Sequence, residues 1–280
     1  MKKVYAGTSG WAYTTWKPDF YPAQLYSTKF LNYYASRLNS VEVNYTFRSL
    51  PTKKLLKDWI AATPPGFKFA VKAHQTITHI KRLRNVMRVT SKFVASLLPL
   101  QKASKLGPVF FQLPPNLKCD LPLLTDFLAG LPHHVRFAFE FRHDSWFRDD
   151  VFASLHGAKV ALCLAESEKL KTPDVHTTDF SYMRMRKEEY SAKVRKALRQ
   201  KVFESCPKAT SLCLLQTRRN PGRRFARGRA AVSDRCSMRT SRCKPLSSVR
   251  SSPSRPPAAH KSFPPGRAFR SSATRFYVPV

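Results

Sequence analysis

With 280 residues, 42% of them hydrophobic, the chain can bury a substantial core in one large domain or two ordinary ones. Its 50 Lys+Arg against 17 Asp+Glu, a formal charge of +33, favours an anionic partner such as nucleic acid or an acidic ligand. The absence of any 18-residue apolar run or signal-type segment excludes an ordinary membrane span, and six scattered cysteines argue against a disulfide framework, so a soluble cytoplasmic protein is expected.

The first predicted strand, Val4–Thr8, runs into a turn formed by Gly7 and Gly10 and then an aromatic-rich loop holding Trp11, Tyr13, Trp16, Phe20 and Tyr21. Apolar residues three and four apart predict a helix over Thr28–Arg37, and Ser40–Phe47 reads as the second strand. A helix over Thr52–Ala61, a strand over Phe67–Ala73, a helix over Asn85–Leu98 and a strand over Pro108–Leu113 follow. The alternation continues with a helix at Leu121–Leu131, a strand at Arg136–Phe141, a helix at Asp149–Leu155 and a strand at Lys159–Leu164. Ser181–Arg186 is the seventh strand, and Ala192–Val202 carries one more helical pattern.

Strands alternating with helices imply parallel pairing through helical crossovers. Polar residues close most strands at their carboxyl ends: Ser9, Asn44, Lys72, Gln112, Arg142 and Arg184. That placement favours a closed barrel over an open doubly wound sheet, because in a barrel those ends ring one mouth. The expected fold is α/β, a TIM-like (β/α) barrel over residues 1–204 that lacks its eighth strand.

Alternation within the strands selects candidate functional residues. Glu42 and Asn44 share one side of their strand, with Val41 and Val43 on the other; Glu140 and Arg142 repeat this between Phe139 and Phe141. Two inward carboxylates suit acid/base work, making Glu42 and Glu140 the catalytic candidates. Glycoside hydrolysis needs two carboxylates at a set separation, but the common barrel glycosidases place theirs on strands four and seven, where Gln112 and Arg184 stand. Lys72, Arg142 and Arg184, and with them Arg186, converge with His79 and His143 on one face and suit a phosphate or carboxylate ligand. The competing role is architectural, with Arg142 and Arg184 neutralising Glu42 and Glu140. Trp11 and Trp146 lie beside strand ends and could stack on a sugar ring or base. Glu140, His143 and Asp179 offer donors for a divalent ion, but no compact ligand signature is present, so no metal is assigned and the cofactor is left unknown.

Several segments resemble one family in order along the chain. They are Gly7-Thr8-Ser9-Gly10-Trp11 with Trp16 and Phe20-Tyr21-Pro22, Val41-Glu42-Val43-Asn44 with Thr46-Phe47, and Lys72-Ala73 with Ile77-Thr78-His79. Gly107-Pro108 with Phe111-Gln112-Leu113-Pro114-Pro115 and Phe139-Glu140-Phe141-Arg142-His143 with Ser145-Trp146-Phe147 complete the series. Together they resemble the YecE-like family, domain of unknown function 72, from about residue 4 to about residue 190. The resemblance implies a TIM-like barrel and specifies no reaction.

Residues 205–280 differ in kind. They hold 17 Lys+Arg against a single acid, Asp234, whereas residues 1–204 hold 33 against 16. Six arginines fall within Arg218–Arg229, a pattern that would suit a nucleic-acid arm. The cysteine pairs Cys206/Cys213 and Cys236/Cys243 are too widely spaced for a zinc site. The family's last strand typically ends in Phe-Lys-His-Glu-Glu-Thr-Pro-Glu-Gly-Ala, which this chain lacks. A permitted codon choice for Leu215–Arg224, read one nucleotide later, yields that motif in full. The tail therefore reads as a basic, low-complexity, out-of-frame and disordered segment, with a frameshift between roughly Phe203 and Leu215.

The expected function is a hydrolase or lyase acting on an anionic or hydroxyl-rich substrate. Glu42 and Glu140 would do acid/base work, while Trp11, Asn44, Lys72, His79, Gln112, Arg142, His143, Trp146 and Arg184 would contact the substrate. The alternatives are a non-catalytic nucleic-acid-binding module and an inactive frameshifted product. No membrane partner is expected.

Overall fold

The computed structural model describes residues 3–166, 170–185, 190–194, 196–197, 200 and 210–214, all within one unit spanning Met1–Ala230. The predicted alternation is present. Strands β1 (Lys3–Gly7), β2 (Ser40–Val43), β3 (Lys68–Lys72), β4 (Leu106–Gln112), β5 (Phe137–Glu140), β6 (Ala161–Glu166) and β7 (Phe180–Met185) fall where the period-two runs lie. Helices α1 (Phe30–Ala35), α2 (Lys53–Ala61), α3 (Met87–Ser96), α4 (Leu98–Lys102), α5 (Leu121–Ala129) and α6 (Asp149–Gly157) occupy the intervals.

Local chemistry sets several boundaries. Thr52 caps α2 by accepting from the Leu55 N–H at 3.1 Å, and Asp120 caps α5 by accepting from Leu123 N–H at 3.1 Å. The helix expected over Asn85–Leu98 is divided: Leu97 ends α3, and α4 restarts with Pro99 in its first turn. Proline is tolerated there because its missing N–H has no intrahelical partner in the first turn. Part of the segment expected as the last helix, 192–194, 196–197 and 200, is helical; the rest of it, and Arg186, lie outside the described residues.

One expectation is corrected. The sequence predicts seven strands and no eighth, yet Thr210–Leu214 forms β8, parallel to β1 on one side and to β7 on the other. Without it, β1 and β7 would each present a row of unpaired backbone donors and acceptors. A five-residue segment at that position satisfies both rows at once. Residues 205–209 and 215–280, expected to be disordered, lie outside the described residues.

The eight strands form one parallel sheet in the order β1-β8-β7-β6-β5-β4-β3-β2. Its two ends then meet. Glu42 N–H donates to Thr8 O at 2.9 Å, and Gly10 N–H donates to Glu42 O at 2.9 Å, giving a barrel-like closure. This seam relies on side chains as well as backbone. Asn39 donates to Val4 O and accepts from Ala6 N–H. The buried Tyr34 hydroxyl accepts from Thr8 N–H and donates to Ser40 O. Burial pushes the Tyr34 phenol well above its ordinary range, so it remains a donor. Gly7 is required here because a Cβ would fall 2.0 Å from Ser40 O.

Two cores follow from the strand alternation. Outward-facing residues such as Val41, Val71, Phe111 and Phe139 pack with the helices in one large cluster that also absorbs Trp16, Phe20 and Tyr21. Inward-facing Ala70, Phe110, Ala138, Ala161, Cys163, Phe180 and Tyr182 form a second, separate cluster. The interior is thus a packed plug below the carboxyl ends of the strands.

Candidate anion site at the strand carboxyl ends

Directly above the apolar plug, the inward positions turn polar. Glu42, Glu140 and Arg184 are 0%, 1% and 1% exposed, so none can remain charged without partners. Arg184 supplies them. Its Nε donates to Glu42 Oε2 at 2.9 Å and its Nη2 to Glu42 Oε1 at 2.8 Å, while Nη1 donates to Glu140 Oε2. Removal from water works against the guanidinium's charge, but the fields of Glu42 and Glu140 outweigh it and hold its pKa above the ordinary value. The guanidinium also lies 4.6 Å over the Phe110 ring, which stacks on Tyr182.

The network extends around the interior. Tyr182 donates to Glu42 Oε2 at 2.8 Å and Ser9 to Glu42 Oε1 at 2.9 Å, and Asn44 Nδ2 donates to Ser9 Oγ. On the other side Gln112 Nε2 donates to Glu140 Oε1, and Lys72 Nζ donates to Gln112 Oε1, both at 2.8 Å. Two carboxylates, one guanidinium and one ammonium make this layer formally neutral. Burial and the Glu42 charge raise the Tyr182 pKa well above its ordinary value, keeping that proton in place for donation.

Glu42 accepts four hydrogen bonds within the layer. The architectural alternative for the two acids therefore describes their geometry, with Arg184 pairing both. Arg142 takes no part: it is exposed at the end of β5 and makes no ion pair among the described residues.

At the mouth edge of this layer, Lys72 is joined by further basic side chains. Phe47 is the pivot, with Lys72 Nζ 4.2 Å from its ring centroid and the His79 ring edge-on at 4.9 Å. Partial burial lowers the His79 pKa, and the positive charges of Lys72, Arg142 and Arg82 lower it further. Its Nδ1 lies 2.8 Å from the Thr78 hydroxyl. Asn44 Oδ1 is a buried acceptor without a hydrogen-bond partner. His79 and Arg82 sit on an unusual segment. Thr76–Ile80 is a π-helical turn, and Arg82, Leu83 and Asn85 follow with φ of +48°, +69° and +52°. Left-handed conformations cost about 1–2 kcal/mol per ordinary residue, and both features recur at functional sites.

The remaining sequence candidates lie elsewhere. Trp146 is 1% exposed, stacks on Phe141 and donates from Nε1 to Leu117 O at 2.7 Å; it belongs to the outer core, with no face open to a ligand. Trp11 is half-buried at the rim, edge-on to Trp59 of α2. His143 Nδ1 accepts from Ser145 N–H and lies beside Asp144, bracing the turn after β5. Asp179 precedes β7 at its amino end, opposite the mouth, so the Glu140–His143–Asp179 set does not assemble. Among the described residues no three His, Cys, Asp or Glu side chains come together in a metal-binding cluster.

Sequence reasoning missed Ser9 and Tyr182 as Glu42 ligands and Arg82 as a neighbour of His79. Tyr182 carried a usable signal, since it lies two residues before Arg184 on one strand face. Arg82 carried none.

A family model described as "Protein of unknown function DUF72" matches residues 5–219. The chain belongs to the DUF72 family. The UPF0759 protein YecE of Escherichia coli K12 is 31% identical over 145 residues, which cover 51% of this chain and 50% of YecE. The UPF0759 protein YunF of Bacillus subtilis 168 is 30% identical over 151 residues, covering 51% and 52%. The chain thus spans about half the length of these relatives. A crystal structure of a DUF72 family protein from Thermotoga maritima superposes with a TM-score of 0.67 at 27% identity, covering 76% of this chain and 92% of that one. A DUF72 protein of Enterococcus faecalis V583 shares the fold at a TM-score of 0.63 and 16% identity, covering 80% and 94%. Among the described residues of this DUF72 chain, no helix is long and apolar enough to cross a membrane.

Proposed function

We propose that this DUF72 chain is a cytoplasmic TIM-type (β/α) barrel enzyme of the hydrolase or lyase class, acting on an anionic substrate at the carboxyl ends of its strands. The observation that carries this is the division of charge at that end. Glu42 and Glu140 are both paired by Arg184 in a buried layer, whereas the charged groups acting on His79 at the mouth, Lys72, Arg142 and Arg82, are all cations. Like charges held together call for a counter-ion, and a bound anion is the simplest one. The His79 imidazole supplies a group able to accept or donate a proton beside the bound anion. Glu42 and Glu140 act here as positioning residues that hold Arg184 and, through Gln112, Lys72.

The test is thermal melting of the full chain with citrate, phosphate or an uncharged sugar, before and after Arg142→Ala. Saturable stabilisation by the anions alone, weakened in the variant, is the expected result. Equal stabilisation by the sugar would remove the basis for an anionic substrate. Steep salt-dependent binding of an oligonucleotide without turnover would favour the nucleic-acid module instead.

We also propose that the chain changes reading frame between Phe203 and Leu215, with residues beyond the junction forming a basic tail foreign to the barrel. That interval contains β8, and the family match ends at residue 219. Resequencing codons 195–230 tests this: a base count that restores the family's final motif supports it, and an unchanged count refutes it. A frameshifted product lacking the family's final motif after β8 would be inactive, which a repaired gene should reverse.

A further inference from the structure

We infer that the strained Thr76–Asn85 segment is a built ligand loop, and that Arg82 upon it is a specificity-determining residue for a phosphate monoester held over Lys72. This rests on the anion site proposed above and deepens it. The loop is anchored on both sides of Arg82. Leu83 is 3% exposed, its N–H donates to Ile77 O at 2.9 Å, and Arg84 N–H donates to Lys81 O at 2.9 Å. Arg84 also pairs with Asp120 at 2.9 Å. Arg82 itself is exposed and makes no hydrogen bond or ion pair among the described residues. A left-handed position is where a chain ordinarily uses Gly or Asn. Here it carries a long cationic side chain on the turn that also presents His79.

The neighbours define the ligand. The charged groups acting on His79 are Lys72 from β3, Arg142 from beyond β5 and Arg82 from its own loop, all positive. A carboxylate brings one charge and two acceptor oxygens. A phosphate monoester brings close to two charges at neutral pH and three oxygens, matching two guanidinium forks and an ammonium. Asn44 Oδ1, buried and unpartnered at the same strand ends, would accept from a hydroxyl elsewhere on such a ligand. The expected ligand is therefore a small phosphorylated polyol. Its dianion would favour protonated His79, so binding should be coupled to proton uptake by the imidazole.

The test is calorimetric titration of the full chain with glycerol phosphate, inorganic phosphate and an oligonucleotide lacking terminal phosphates. It compares Arg82→Gly, Arg82→Asn, Arg142→Ala and Arg84→Gln with the unaltered protein. Gly and Asn tolerate the left-handed backbone, so both Arg82 variants should melt no lower than the parent. They should bind glycerol phosphate about tenfold more weakly, while Arg84→Gln binds normally. If the Arg82 variants bind normally and Arg142→Ala does not, the role of Arg82 is refuted and the anion site survives. If no anion binds the parent, both fall. Tighter binding of the oligonucleotide, lost in Arg82→Gly, would overturn the small-ligand assignment.

Discussion

Two layers of the barrel interior, one residue pair apart on the same strands, obey opposite chemistry. On β7, Tyr182 belongs to the apolar plug and Arg184 to the charged layer; on β4 and β5 the same step runs from Phe110 to Gln112 and from Ala138 to Glu140. Apart from the Tyr182 hydroxyl, which reaches up to Glu42, the lower layer is held by non-directional packing and tolerates substitutions that conserve volume. The upper one is held by directional bonds whose members each depend on the others. The difference teaches that burial in this barrel does not fix polarity. What matters is whether a cross-barrel partner is within reach.

The largest expected effect comes from breaking the upper layer at its centre. Arg184→Met leaves two buried carboxylates without their cation and should destabilise the chain by about 3–5 kcal/mol in urea unfolding. A loss no larger than that of a volume-conserving Phe110 substitution would erase the distinction between the layers. The sharper version replaces all three charges, Glu42→Leu with Glu140→Leu and Arg184→Met. Such replacements are often neutral or stabilising, so most of the single-variant loss should return while anion binding is weakened. Full retention of anion binding would show that the layer does not position the mouth.

Next in size is the seam, where the comparison is between directional closure and tight packing. Gly7→Ala drives a methyl group into Ser40 O and should cost about 1–3 kcal/mol, read as a lower urea midpoint; an unchanged midpoint would mean that the β1–β2 closure is slack. The smallest effect is expected at the exposed end of the charged layers. The folded-state pKa of His79 lies below its ordinary value of about 6.5. Between those values the unfolded chain binds more protons, so stability should rise with pH across that window and fall as pH drops through it. Lys72→Met should flatten this slope in melts between pH 5 and 7; an unchanged slope would move its origin away from the mouth.

Much of this was readable along the chain because a strand's facing is a local property. Val41-Glu42-Val43-Asn44 and Phe139-Glu140-Phe141 declare their inward sides by alternation alone, and Glu42, Glu140, Lys72, Gln112 and Arg184 do meet in one layer. Trp146 was misread because a position beside a strand end does not reveal which face its ring takes; Phe141 and Leu117 claim it for the outer core. Arg82 was invisible because its placement depends on a π-helical turn and left-handed residues that no periodicity announces. Thr210–Leu214 was passed over because it is short and set in a basic, serine-rich context, and only the gap between β1 and β7 makes it a strand.

The succession of strands and helices, the inward side of each strand and the polar character of the strand ends are all written locally along the chain, since each depends on neighbours a few residues away. That one arginine serves both acids follows from the closed sheet alone. Arg184 and Glu42 are 142 positions apart, on strands that the closure of the sheet brings across a common interior. That pairing is not legible in any local pattern, because β2, β5 and β7 come around one interior only when the ends of the sheet meet.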